Sequence, residues 1–131
     1  MVAKEKGQML ARRDAAQIPT INERQRIPDQ VIEDAVRQII QKFQPQRIIA
    51  FGSYAYGRLR PESDVDLLVV MDTPLKETEQ AVRICQAIEY HFGLDLIVRT
   101  PATIDRRLAL GDPFLHEVIS KGKVLHERAG S

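Results

Sequence analysis

Two short runs of aliphatic and β-branched residues, Arg47-Ile48-Ile49-Ala50-Phe51 and the stretch from Asp64 to Met71, limit most tightly what this chain can fold into. Both have the length of a strand rather than a helix, and Gly52 closes the first, so each reads as a buried strand. In the second, Val65, Leu67 and Val69 alternate with Asp64, Asp66 and Leu68. A third strand is predicted from Leu94 to Arg99. Between and around these runs the apolar period changes from two to that of a helix. Ile32, Ala35, Val36, Ile39, Ile40 and Phe43 form one stripe, opened by Pro28 in a first turn and stopped by Pro45. A second helix is predicted from about Lys76 to His91, with Ala81, Ile84, Cys85, Ile88 and Phe92 on its stripe and Gly93 as its C-terminal cap. Thr100-Pro101 and Asp112-Pro113 each read as an N-cap followed by a first-turn proline, which predicts two short helices. The order helix, strand, strand, helix, strand, helix, helix is α/β.

Length and charge narrow the class. A chain of 131 residues, 44% hydrophobic and 28% charged, is one ordinary globular domain with enough length to build a core without staples. Its net charge of +1 gives no field for capturing nucleic acid by charge, so no direct nucleic-acid binding is expected. Cys85 is the only cysteine, which excludes an internal disulfide and a cysteine-based zinc site. The longest apolar run is Leu67 to Met71, far short of a membrane span, and the first residues show no signal-peptide pattern; a cytoplasmic location is the expectation. Residues 1–26 carry six basic against three acidic residues, and the remainder thirteen against fifteen. The head is therefore read as a basic, mobile leader before a domain at 27–131, with docking on a partner or a second copy of the chain as its sharper reading. His91, His116 and His126 are too scattered for a metal site. Cys85 and the tyrosines Tyr54, Tyr56 and Tyr90 are read as packing residues.

The chemistry lies between Gly52 and Asp95. Gly52-Ser53 leaves a strand at a corner where free backbone N–H groups and a hydroxyl suit phosphate. Asp64 and Asp66, two apart on a strand, leave the same face of the sheet and repel each other unless a cation lies between them. Mg²⁺, which takes carboxylates together with substrate phosphates, resolves that repulsion. The alternative is that Ser63, Asp64 and Asp66 are turn and cap residues on a solvent-facing edge. Asp95 either sits at its strand's exposed end or faces the same cleft as the first two. Three carboxylates converging on a metal and phosphates suit phosphoryl or nucleotidyl transfer.

Gly52-Ser53, then ten residues, then Asp64-Val65-Asp66, with Asp95 further on, resembles the signature of the DNA polymerase beta superfamily of nucleotidyltransferases. The chain is most similar to the minimal nucleotidyltransferase (MNT) group, over about residues 28 to 127, including Asp112-Pro113-Phe114-Leu115 and Gly122-Lys123-Val124-Leu125. The resemblance implies a nucleotidyltransferase fold, a small mixed β-sheet flanked by helices in a single domain. It implies that Asp64 and Asp66 hold Mg²⁺ and ATP, with Asp95 as the third metal-facing carboxylate. It also implies that Gly52 and Ser53 bind the phosphates and that Asp95 activates an acceptor hydroxyl. It further implies a helical HEPN-type toxin as partner, silenced by transfer of AMP to a hydroxyl, a tyrosine's by preference, with this chain as antitoxin and a homo-oligomer as an option. Two other readings stay open: a small-molecule nucleotidyltransferase of the aminoglycoside-modifying sort completed by a partner chain, and a non-catalytic antitoxin that masks its partner. Where many relatives carry Ala-Arg-Gly, this chain has Ala55-Tyr56-Gly57, and Arg58 or Arg60 are its nearest substitutes for that cation.

Overall fold

A computed structural model describes residues 28–55 and 64–129. The leader, Tyr56 to Ser63 with Arg58 and Arg60 among them, and the last two residues lie outside the described residues. Helix α1 (Asp29–Phe43) buries Ile32, Ala35, Val36 and Ile39 of the predicted stripe, leaves Ile40 and Phe43 partly buried against the same cluster, and ends where Gln44 takes a left-handed conformation before Pro45. Strand β1 (Arg47–Phe51) pairs antiparallel with β2 (Val65–Val70), which pairs on its other side, in parallel, with β3 (Leu94–Arg99). Helix α2 (Glu77–Ala87) makes the crossover between β2 and β3. Helices α3 (Pro101–Ala109) and α4 (Pro113–Lys121) follow, and β4 (Lys123–Glu127) returns to the free side of β1, giving the sheet order β3-β2-β1-β4.

The sheet is the middle of three layers. Val65, Leu67 and Val69 of β2 pack with Ile39 of α1 and Ile84 of α2 on one face, while Leu68 and Val70 pack with Ile104 of α3 and Leu115 and Val118 of α4 on the other. A strand apolar on both sides needs cover on both, and β2 has it. No helix among the described residues is long and apolar enough to cross a membrane.

The structure corrects two expectations about elements. Helix α2 stops at Ala87, not His91, because α1 takes over its end: Lys42 donates to the Ala87 carbonyl, and Gln38 both donates to the Glu89 carbonyl and accepts from the Glu89 N–H. Gly93 therefore caps no helix. Strand β4 is absent from the predicted order, since a five-residue edge strand with charged ends carries too little period to announce itself.

Candidate active site

Strand β1 ends beside the start of β2, with Phe51 directly opposite Asp66. The chain then turns through Gly52, Ser53, Tyr54 and Ala55. Gly52 has φ +72°, and a Cβ there would run into the Asp66 carboxylate, so only glycine lets this turn lie under that side chain. Ser53 is half-buried in the turn. The turn is tied down on the far side by Tyr54, whose hydroxyl donates to Asp29 Oδ1 at 3.1 Å and whose ring lies 5.4 Å from the Lys123 ammonium.

Register brings the third carboxylate in. In the parallel β2–β3 ladder Asp66 is the direct partner of Asp95, and partners in a ladder project to the same face. Asp95 is exposed near the start of β3, on the face it shares with Asp66. Asp64 lies just before β2, its carboxylate resting over Gly93, where the Val65 N–H donates to the Gly93 carbonyl at 2.8 Å. The face is the one that α3 and α4 cover further along the strands; at this end Asp64 and Asp95 are exposed and Asp66 is half-buried. Partial burial, then the negative charges of Asp95 and Asp64, push the Asp66 carboxyl above the usual carboxylate range.

That crowding favours a cation by its chemistry: three carboxylates lie near one another, and one of them is destabilised as an anion. Asp66 leans toward β1 over Gly52, however, and Asp64 toward β3 over Gly93. Among the described residues no three His, Cys, Asp or Glu side chains form a set that could hold a metal ion as they stand. The trio is an open negative face rather than a closed cage, and phosphate oxygens would complete the coordination.

Among the described residues, Cys85 and His116 play structural parts. Cys85 is half-buried against the core, where burial pushes its thiol up. His116 Nε2 lies 3.2 Å from the Leu108 carbonyl, on the helical layer. Phe114, at the start of α4, carries no functional mark in the sequence, yet its ring meets that of Phe51 edge-on at 5.3 Å and so borders the carboxylate face. Its only sequence signal was its place just after the Asp112-Pro113 cap.

Residues 32–126 match the family model described as a nucleotidyltransferase domain. A protein of Methanocaldococcus jannaschii described as a candidate protein adenylyltransferase is 26% identical over 102 residues, spanning 75% of this chain and 97% of its own length. The crystal structure of a Sulfolobus solfataricus protein described as a candidate nucleotidyltransferase has the same fold, with 19% identity and a TM-score of 0.55 over 78% of this chain and 82% of that one. A chain in the crystal structure of a mutant MntA-HpeT toxin-antitoxin complex aligns over 79% of this chain and 76% of its own, at 21% identity and a TM-score of 0.47.

Proposed function

The chain belongs to the nucleotidyltransferase domain family, and from that premise we propose that it transfers AMP from ATP to a hydroxyl of a protein partner, a tyrosine's by preference. The partner in this reading is a helical toxin of the HEPN type, and the transfer makes this chain its antitoxin. The observation that supports the proposal is the pairing of Asp66 with Asp95 beside the Gly52 turn, two carboxylates on one face next to a turn whose backbone suits phosphate. The name of the Methanocaldococcus jannaschii relative supports a protein as acceptor.

In this mechanism the backbone N–H groups of the Gly52–Ala55 turn and the Ser53 hydroxyl hold the phosphates. Asp64, Asp66 and Asp95 would hold a divalent cation, Mg²⁺ in this reading, which when bound offsets the negative charge of the phosphates. Asp95, exposed at the open end of β3, takes the proton of the acceptor hydroxyl. The hydroxyl oxygen then bonds to the α-phosphorus, the bond from that phosphorus to the bridging oxygen breaks, and pyrophosphate leaves.

The test is incubation with α-labelled ATP, Mg²⁺ and the product of the neighbouring reading frame, beside a variant carrying Asp64→Asn and Asp66→Asn. Label is expected on the partner with the intact protein and at least ~10³-fold less with the variant, the scale on which lost electrostatic stabilisation acts. Silencing of the partner without any label would support the masking reading instead. Label on a small hydroxylated molecule with no partner present would refute protein adenylylation.

A further inference from the structure

A groove of about 470 Å³ runs along α3 on the same side of the sheet as the carboxylates, from Arg99 at the far end of β3 to Phe114 at the start of α4. Arg99, Arg106 and Arg107 line it, on a body whose acidic residues outnumber its basic ones. Arg107 Nε is 3.0 Å from Asp112 Oδ2, and Arg99 is 3.9 Å from Glu77 Oε1. Arg106 is exposed, and no carboxylate pairs with it among the described residues. At the near end Phe114 is 44% exposed. The groove joins the candidate active site through two steps: Phe114 against Phe51, and Phe51 opposite Asp66.

We infer that this groove docks the protein acceptor through an acidic segment of that partner, an inference that rests on the adenylyl-transfer reading above and adds how the acceptor is recognised. Carboxylates of the segment pair with Arg106 and compete for Arg99 and Arg107, while an apolar side chain covers Phe114. A nucleotide is the poorer fit. Its phosphates have the Gly52 turn, and Arg99 lies four residues along β3 from Asp95, about 13 Å away, which suits an extended chain rather than a triphosphate held at the turn. RNA is also the poorer fit, because two of the three arginines already face carboxylates and phosphodiester binding depends on many uncommitted cations.

The full chain would be titrated against a dye-labelled glutamate–tyrosine copolymer, a lysine–tyrosine copolymer, a single-stranded RNA and ATP by fluorescence anisotropy. Labelling of the two copolymers from α-labelled ATP and Mg²⁺ would be followed in parallel. The acidic copolymer is expected to bind and the basic one not. Arg106→Glu should weaken acidic-copolymer binding by about tenfold, Arg106→Lys should keep most of it, and ATP affinity should stay unchanged in both. Equal binding of the two copolymers, RNA bound more tightly than the acidic copolymer, an Arg106→Glu variant that binds as well as wild type, or a loss of ATP affinity in that variant would each overturn the docking site. Binding needs no turnover, so the two readings fail separately. Charge-dependent binding without labelling refutes adenylylation of tyrosine in this polymer and leaves the groove standing, whereas labelling indifferent to charge and to Arg106 refutes the groove alone.

Discussion

Gly52 and Asp66 constrain each other on the carboxylate face. The turn needs a positive φ, and the carboxylate needs the space where a side chain would stand. Gly52→Ala is therefore expected to cost about 1–2 kcal/mol in urea unfolding from the left-handed backbone alone, with a further loss of nucleotide binding as Asp66 is pushed aside. Asp66 itself costs the fold stability once it is ionised. Its carboxyl is raised by burial first and then by Asp95 and Asp64, so the folded chain holds this proton more firmly than the unfolded chain does. The sign follows: as pH rises from the ordinary carboxylate range through the raised folded value, the wild type loses stability that Asp66→Asn keeps. Thermal melts in metal-free buffer should show Asp66→Asn more stable than wild type at neutral pH. That advantage should shrink as pH falls into the carboxylate range, and transfer activity should be lost throughout. An Asn variant less stable than wild type at neutral pH would sink this account.

Helices α3 and α4 show what a short element can encode by itself. Thr100 accepts from the Thr103 N–H at 3.1 Å, and Asp112 Oδ1 accepts from Phe114 and Leu115, so both caps stand where Thr-Pro and Asp-Pro predict them. These N–H donors and the Arg107 guanidinium hold the Asp112 carboxyl below its usual range. The stabilisation is present above the ordinary carboxylate range and is lost as pH falls through the lowered folded value. Asp112→Ala is expected to lower Tm at neutral pH, and the gap to wild type to close in strongly acid buffer, as read by circular dichroism. Loosening this cap would also let Phe114 drift from Phe51. Helix α2 is the opposite case. Its apolar stripe continues through Ile88 to Phe92, yet its backbone stops at Ala87, because partners on α1 offer those carbonyls and N–H groups better terms than another helical turn.

The molecule as a whole is two apolar clusters sharing one sheet, and β2 belongs to both. Leu67 and Leu68, neighbours in sequence, are each fully buried against opposite helical layers. Leu67→Ala should cost about 2–5 kcal/mol, and because the layers share the strand, unfolding should remain one transition. Far-UV circular dichroism and tyrosine fluorescence followed through urea should coincide; separate midpoints would show that the layers come apart independently. Much of this architecture was legible in the chain, because helix stripes, cap pairs and the two-residue spacing of Asp64 and Asp66 are local patterns that any fold must honour. The face those two carboxylates share was written there too. What the sequence left open is whatever depends on partners far along the chain: that Asp95 lies beside Asp66, that α1 ends α2, that β4 closes the sheet, that Phe114 meets Phe51, and that Phe114 shares a groove with the arginines of α3. Those are decided by register and layer packing, which are fixed only when both faces of β2 are covered at once. A one-residue slip in the β2–β3 ladder would keep every local pattern and still separate Asp95 from the other two carboxylates.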